Sequence, residues 1–239
     1  MDKNAPRSLC QVVQWAQENC SVTASRAVLS RLLRFAGYSY KRMRVSCSHK
    51  RDKVLSDFFK TEIQELKKME DEGEIDLYSF DEMGVNLSPV VPYGWQKVGK
   101  THRLSSMPSS NHTVVGFVNR KCDFHGFRVD GAATAETTVA CINDFVDQIE
   151  KKTVVLIDNA SIHKAISVRE KMVEWAGKGL FLQFIPAYSP ELNFIERLWL
   201  EFKHRWLSKP NYFDSIEELT KAIDDVIRGI GTKYRINFE

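Results

Sequence analysis

The stretch that decides the fold is VVLIDNASIHK at residues 154–164, followed after a gap by LFLQFIPAYSPELNFIERLWLEFK at residues 180–203. Each half opens with a short apolar run typical of a buried strand, and polar residues follow each run. Asp158 closes the first run, and Glu196 lies just inside a helix predicted after the second. The pattern predicts acidic side chains at the edge of an α/β sheet, where such sheets bind ligands.

A third acid stands in IDLYSFDEMG at residues 75–84, where Asp81 follows an apolar run that ends at Phe80. Glu82 is its rival, because successive strand residues point to opposite faces and both cannot face one metal unless the strand breaks. Carboxylates are the hard oxygen ligands that Mg²⁺ prefers. Two such ions about 3.5–4 Å apart can activate a nucleophile and neutralise a phosphodiester during cleavage. Three acids on separate elements therefore indicate phosphodiester chemistry.

The two long motifs resemble the catalytic core of insertion-sequence transposases of the mariner superfamily. The family's DNAxxH signature is matched by Asp158, Asn159, Ala160 and His163. Its PPYSPELNPIE signature is matched by PAYSPELNFIE at residues 186–196, where two prolines are replaced by residues that supply no ligand. The 37 residues between Asp158 and Glu196 are close to the family's spacing. The resemblance extends from about residue 22 to about residue 206.

This resemblance implies a ribonuclease H-like fold, in which a mixed sheet is flanked by helices and preceded by a small helix-turn-helix segment. It implies that Asp81, rather than Glu82, joins Asp158 and Glu196 as a catalytic, metal-binding Asp-Asp-Glu triad. The cofactor would be Mg²⁺, two ions per site, with Mn²⁺ able to substitute. The reaction would cut DNA at transposon ends and transfer the 3′-hydroxyl strand into target DNA. The expected partner is double-stranded DNA, both the terminal inverted repeats of the element and the target DNA. The resemblance also allows a homodimer in the complex with DNA.

The N-terminal arm is basic, with 12 Lys and Arg against 4 Asp and Glu in residues 1–60, whereas the remainder carries 22 against 27. This asymmetry favours contact between the arm and a polyanion. Helical spacing predicts helices over 8–19 and 26–36, with Ser25 as an N-cap and Gly37 as a stop. A helix, a short turn and a second helix form a helix-turn-helix pattern, although a helical hairpin with a solvated basic face has the same pattern. The predicted DNA-binding residues of the arm are Arg26, Ser30, Arg31, Arg34, Lys41, Arg42 and Arg44.

Three residues near the acids are further DNA-contact candidates. Asn159 could bond a phosphate or a ligand carboxylate, and His163 could touch DNA or position a water, although a packing histidine is an equal alternative. Asn193, three residues before Glu196, is predicted to share its helix face. That helix is predicted over 191–207, with Ser189 as its N-cap and Pro190 at its first position.

The remaining pattern predicts a helix-turn-helix segment over 1–45, a linker helix over 46–72 with one apolar stripe, and a catalytic domain over 73–239. The long connection over 84–111 allows a strand at 95–98. Predicted strands cover 75–80, 113–119, 124–129, 154–157 and 180–185, and further helices cover 135–151, 164–176 and 215–228. Antiparallel strands followed by helix–strand alternation predict a mixed α/β sheet.

Composition excludes several classes of protein. No apolar run reaches the roughly 18 residues of a membrane span, and the first residues lack the apolar stretch of a signal peptide. Five scattered cysteines indicate reduced thiols and argue against a zinc site. We therefore expect a cytoplasmic protein, associated with the bacterial nucleoid when bound to DNA. Two alternatives to a transposase remain at this point: a ribonuclease H-like nuclease that does not transpose, and a truncated DNA-binding remnant.

Overall fold

A computed structural model describes residues 8–40, 52–87, 112–207, 213 and 215–238. The chain divides into two compact units, Met1–Ser46 and Cys47–Glu239. The predicted linker helix belongs to the larger unit. The finer domain boundaries stay a prediction.

The N-terminal unit contains two helices, α1 (Leu9–Cys20) and α2 (Arg26–Phe35). Ser8 and Ser25 cap them, each hydroxyl accepting a hydrogen bond from the backbone N–H three residues on. The described core of this unit is small: Val12, Ala16 and Leu29 are its buried apolar residues. The two helices predicted from the sequence are therefore present, at bounds within a residue of those expected.

The larger unit is built on one five-stranded sheet. Its strands are β1 (Asp76–Val85), β2 (His112–Asn119), β3 (Phe124–Asp130), β4 (Thr153–Ile157) and β5 (Leu180–Phe184). Their order is β3-β2-β1-β4-β5. The β1–β2 and β2–β3 pairs are antiparallel, whereas β1–β4 and β4–β5 are parallel. This is the mixed sheet that the sequence predicts.

Helices cover both faces of the sheet. They are α3 (Lys53–Asp71), α4 (Ala135–Val146), α5 (Ile166–Gly177), α6 (Ile195–Glu201) and α7 (Ile216–Gly229). One core cluster joins Phe80 and Phe117 of the sheet to α4 and α5. On the other face, α6 and α7 pack on Met83 and Val114, and α3 packs on Leu77. The result is a three-layer arrangement of helices, sheet and helices.

Strand β1 is longer than its sequence predicts. We expected it to end at Phe80, but it runs on to Val85 because it pairs with β2 along its whole second half. Its parallel ladder with β4 stops earlier, at the pair Phe80–Ile157. Asp81 therefore does not end the strand; it is the first residue of β1 beyond the parallel ladder.

The predicted helix over 191–207 is instead three pieces. A 3₁₀ turn covers Pro190–Leu192, α6 follows, and a π-helical segment covers Phe202–Trp206. Ser189 occupies the N-cap position of the 3₁₀ turn and Pro190 its first position, as predicted, but the Ser189 hydroxyl makes no capping hydrogen bond. Asn193 is extended and precedes α6, so it does not share a helix face with Glu196. At this break the side chain of Asn193 donates to the Phe80 carbonyl of β1, while its backbone bonds to the Pro190 carbonyl and the Glu196 N–H.

The apolar stripe predicted for α3 is only half used within the described structure. Ile63 is buried, and Phe59, Leu66 and Met69 pack beside it. Nearer the N-terminus of the helix, Val54, Leu55 and Phe58 are exposed. The α3 helix is therefore anchored to the sheet through its C-terminal half.

Some predictions fall on residues outside the described ranges. These are the strand at 95–98 and the DNA contacts of Lys41, Arg42 and Arg44. Among the helices that the structure does describe, none is long and apolar enough to cross a membrane.

Candidate active site

The topology brings Asp81 and Asp158 together at one edge of the sheet. Because β1 and β4 are parallel and their last paired residues are Phe80 and Ile157, each acid is the next residue of its own segment. Carboxyl ends of adjacent parallel strands form the usual ligand-binding edge of such sheets. Two acids about 80 residues apart in sequence thus become neighbours by strand register alone.

Asp81 lies on the face of β1 that packs against α6. Its Oδ2 accepts a hydrogen bond of 3.2 Å from the indole Nε1 of Trp199. Burial raises the pKa of Asp81, a backbone hydrogen bond from Glu82 opposes the shift, and the charges of Glu196, Glu82 and Asp158 add to it, so that the net pKa is about 7. The charged neighbours that act most on this carboxylate are all acids, so in neutral solution it is poised between its protonated and charged forms.

Glu196 is the second residue of α6 and is exposed. Partial burial raises its pKa, the charge of Asp158 adds to the effect, and Lys203 opposes it. The approach to this helix is fixed by Asn193, which is 3% exposed and donates its side-chain N–H to the Phe80 carbonyl over 3.1 Å. That bond attaches the start of α6 to β1 directly beside Asp81.

Asp158 is held by two donors on one oxygen. Its Oδ1 accepts hydrogen bonds from the backbone N–H of Ala160, at 2.8 Å, and from Nδ1 of His163, at 2.6 Å. Burial alone would raise the pKa of Asp158, but these bonds and the charge of His163 lower it below its usual value. Asp158 is thus an ionised carboxylate in a fixed orientation, unlike Asp81.

His163 is completely buried and uses both ring nitrogens. Nδ1 faces Asp158, and Nε2 lies 2.7 Å from Oε1 of Glu82. Its ring packs edge-on against Phe80, with centroids 5.5 Å apart. Burial would lower the pKa of His163, but the bonds to the two carboxylates raise it to about 9. The ring is therefore a cation at neutral pH, with an N–H donor for each acid.

The structure places two of the predicted DNA contacts inside the protein. His163 and Asn193 are buried against protein atoms, which corresponds to the packing alternative for the histidine. Asn159 is partly exposed, and its amide N–H donates to the Ile185 carbonyl. All three hold the acids' supporting segments together.

The predicted DNA contacts of the arm have a different placement. Arg26, Arg31 and Arg34 are exposed on α2, and Ser30 is half-buried. The exposed arginines leave a basic helix surface accessible to solvent, as a phosphate-binding helix requires.

Sequence reasoning missed the contributions of Trp199 and Glu82. The position of Trp199, three residues after Glu196, is a sequence signal that both side chains face the same site. Its ring packs edge-on against Phe124, with centroids 6.0 Å apart. Phe124 in turn lies over Gly116 and Gly126, where a Cβ atom would overlap its ring. Asp81 and Gly116 are paired across β1 and β2, so this stack stands beside the first acid.

The donor set fits a divalent cation. The acids offer hard oxygens, and Asp81 has a raised pKa that a cation would reverse. As the side chains stand, however, no three His, Cys, Asp or Glu residues within the described ranges are arranged to hold one metal ion. The charges of Asp81, Asp158 and Glu196 act on one another, so the three lie in one neighbourhood. Their joint role as ligands stays a prediction.

Comparisons with known proteins agree with this geometry. Residues 76–220 match the family model described as DDE superfamily endonuclease. The crystal structure of the Mos1 strand transfer complex matches with a TM-score of 0.62 and 16% identity, covering 95% of this chain and 72% of that one. The Mos1 mariner paired-end complex with Mn matches with a TM-score of 0.63 and 17% identity, covering 95% and 68%. The Mos1 catalytic domain matches with a TM-score of 0.51 and 14% identity, covering 80% and 86%. No curated protein matches the chain in sequence.

At these identities the structural matches establish the fold, and they confirm the ribonuclease H-like arrangement predicted from the sequence. The family match spans more than half of the chain and includes all three acids. That family implies a divalent metal as cofactor. The chain belongs to the DDE superfamily of endonucleases, and its fold is that of the mariner transposase Mos1.

Proposed function

We propose that this protein is a DNA transposase that cuts DNA at the ends of a mobile element and joins the freed 3′-hydroxyl to target DNA. The observation that carries the proposal is the placement of Asp81, a half-buried acid, beside Asp158 at the carboxyl ends of the parallel strands β1 and β4, where burial and neighbouring acids raise its pKa to about 7. Such a carboxylate is poorly accommodated without a cation, and perturbed acids of this kind concentrate at functional sites.

In this proposal Asp81, Asp158 and Glu196 hold two Mg²⁺ ions, for which Mn²⁺ substitutes. The bound metals supply the activation of the attacking oxygen and the neutralisation of charge on the phosphate. The chain's own contribution is orientation: Trp199 fixes one oxygen of Asp81, Ala160 and His163 fix one oxygen of Asp158, and Asn193 fixes the start of α6. Mos1 complexes with Mn and with Mg, which share this fold, support the choice of metals.

The proposed partner is double-stranded DNA. The printed descriptions of the matching Mos1 structures name a strand transfer complex and a paired-end complex with the left transposon end. By analogy we propose that this chain binds the terminal inverted repeats of its own element, as a homodimer in the complex. The exposed arginines of α2 would supply phosphate and base contacts.

The chemistry can be tested with Asp158→Asn. An amide is a poor ligand for a hard cation, so the variant should keep metal-free DNA binding but lose Mg²⁺-dependent cleavage of DNA that carries the inverted repeats flanking the gene. Pre-cut ends with a free 3′-hydroxyl should give strand-transfer product with the wild-type chain only. The matched control is Asp225→Asn, an exposed acid on α7.

Other outcomes identify the alternatives. Cleavage without any strand transfer from pre-cut ends would indicate a nuclease that does not transpose. DNA binding by the wild type with neither activity would indicate a remnant. Near wild-type cleavage by Asp158→Asn would remove Asp158 from the site.

The arm is tested by the salt dependence of DNA binding. Phosphate contacts release counterions, so affinity should fall steeply with salt, and replacing Lys41 and Arg42 by Ala should flatten that slope for every sequence. Arg26→Ala and Ser30→Ala should instead change sequence preference. Lys171→Ala, in an exposed ion pair on α5, should change neither property. If removal of residues 1–45 leaves affinity and slope unchanged, the arm is only a solvated helical hairpin.

A further inference from the structure

A buried imidazole joins the carboxylate that follows β4 to a carboxylate of β1. His163 has no exposed surface, and its nitrogens lie 2.6 Å from Asp158 Oδ1 and 2.7 Å from Glu82 Oε1. A ring with both nitrogens committed to carboxylates has no lone pair for a metal and no surface for DNA. The function of His163 must therefore act through the acids that it contacts.

One of those acids is left with a single available oxygen. Asp158 Oδ1 already accepts from His163 and from the Ala160 N–H, at 2.6 and 2.8 Å. Among the described residues, no hydrogen bond reaches Oδ2 of Asp158, although its side chain is 46% exposed. Two donors on one oxygen prevent the carboxylate from turning about its last bond. The other oxygen is thereby presented to solvent in one direction.

The other acid, Glu82, faces away from the site. Since side chains alternate along a strand, Glu82 points to the opposite face of β1 from Asp81. Its side chain is only 13% exposed. An independent sign of its direction is Cys141 on α4, whose pKa is raised to about 11 by burial and then by the charge of Glu82. Glu82 thus lies on the face of the sheet that packs against α4, whereas Asp81 lies on the face that packs against α6.

Glu82 is the partner that keeps the imidazole in place. Without it, Nε2 would be a buried donor with no acceptor, which is a costly arrangement that favours rotation of the ring. Rotation would withdraw Nδ1 from Asp158 and leave its carboxylate free to turn. Hydrogen-bond partners behind metal-ligating side chains orient those ligands in many proteins, and their loss costs about ten- to a hundredfold in metal affinity or activity.

We propose that Glu82 and His163 are positioning residues that fix Asp158 Oδ1, so that Asp158 binds metal through Oδ2 alone, and that Glu82 is not itself a ligand. This inference rests on the proposed function, because it takes Asp158 as a metal ligand. It also resolves the rivalry between Asp81 and Glu82 that the sequence leaves open. The two neighbouring acids act on opposite faces of one strand.

The test measures Mn²⁺ binding to the full chain without DNA, by electron paramagnetic resonance of free and bound Mn²⁺. Glu82→Gln keeps an oxygen that accepts from Nε2, so its Mn²⁺ affinity should stay within about threefold of wild type. Glu82→Ala removes the acceptor and should weaken Mn²⁺ about ten- to a hundredfold. The spectrum of the remaining bound Mn²⁺ should also change, since the ligand oxygen is no longer fixed. Near-UV circular dichroism verifies that each variant is folded.

A second variant keeps the inference testable if Glu82→Ala does not fold. Glu82→Asp retains the charge but is one methylene shorter, so it cannot hold Nε2 at the same distance, and Mn²⁺ affinity should again fall about tenfold. Asp225→Asn, an exposed acid on α7, is the control and should bind Mn²⁺ as wild type does.

The outcomes separate this inference from the proposed function. If Glu82→Gln loses Mn²⁺ as strongly as Asp158→Asn does, Glu82 is a ligand and the inference is overturned. If Asp158→Asn loses Mn²⁺ but Glu82→Ala and Glu82→Asp do not, the positioning role is overturned and the metal site stands. If wild type binds no Mn²⁺, or Asp158→Asn binds it normally, the proposed metal site itself fails.

Discussion

Asp81 and Glu82 are neighbours in sequence, yet the two faces of β1 give them opposite environments. Asp81 meets an indole N–H and three other acids, and its pKa is raised to about 7 by burial and by their charges. Glu82 meets the imidazole of His163, whose pKa is raised to about 9 by its bonds to two carboxylates although burial opposes it. On one face, the charges that act most on Asp81 are those of other acids. On the other face, Glu82 is paired with the imidazole of His163.

The difference shows how an acidic strand can be both stable and reactive. A buried ion pair such as Glu82–His163 keeps charges satisfied inside the protein. An uncompensated buried acid lowers stability, and proteins retain such groups mainly where function requires them. The comparison therefore assigns reactivity to the Asp81 face and support to the Glu82 face.

The strongest test of the difference between the two faces of β1 is to exchange each acid for its amide and to measure cleavage. Asp81→Asn should reduce Mg²⁺-dependent cleavage about a thousandfold or more, because metal stabilisation of the transition state is worth several kcal/mol. Glu82→Gln should stay within about tenfold, since its oxygen still accepts from His163. Metal-free DNA binding is the control for folding. Equal losses in the two variants would mean that the faces do not differ in function.

The second test concerns stability of the metal-free protein as pH changes. The folded-state pKa of Asp81, about 7, lies above the value of 3.8 that is usual for an aspartate. Its contribution is therefore fully present below pH 3.8 and is lost as pH rises through 7. Asp81→Asn does not titrate, so it should exceed wild type in stability at pH 8, by at most about 4 kcal/mol, and by less at pH 5.

Urea unfolding in the presence of a chelator measures this difference. Added Mg²⁺ should then stabilise the wild type but not the variant. Asp225→Asn, whose carboxylate is exposed in an ion pair with Arg228, should show no comparable dependence between pH 5 and pH 8. A stability difference for Asp81→Asn that is the same at both values would contradict the raised pKa.

The smallest effect is expected at Trp199 and Trp175, the two tryptophans that are buried among the described residues. Trp199 donates to Asp81 at 3.2 Å on one face, and Trp175 donates to Asn143 at 2.8 Å on the other. Replacing either by Phe removes one hydrogen bond and should cost about 1 kcal/mol of stability. Only Trp199→Phe should also raise the Mg²⁺ concentration for half-maximal cleavage, by about fivefold. The same shift in Trp175→Phe would show that general loosening, rather than the bond to Asp81, is responsible.

Much of the fold could be predicted because its signals are local. Apolar spacing located α1 and α2, with Ser25 as the cap of α2, and buried runs located β4 and β5. The end of β1 could not be located, because it depends on pairing with β2 across a long connection. The break before α6 was equally hidden, since it depends on a bond between Asn193 and Phe80, 113 residues apart.

The site divides in the same way. Asp158 and Glu196 stand in motifs that can be recognised from the sequence, and strand register brings Asp158 beside Asp81. The bond between His163 and Glu82 joins residues 81 positions apart, and no local pattern predicts it. Burial of His163 is likewise a property of the packed sheet rather than of its neighbours in sequence. The acids could therefore be predicted, whereas their supports could not.

The position of the Phe124 ring over Gly116 and Gly126 affects which mutations of the gene would inactivate the protein. Every missense change of a glycine codon installs a side chain, and at either glycine its Cβ would displace Phe124. Phe124 packs against Trp199, which holds Asp81, so the displacement is passed to the first acid. A gene copy altered there would still encode all three acids. Checking diverging gene copies for the three acids would therefore not detect this loss of activity. Gly116 and Gly126 are the positions at which it should be sought.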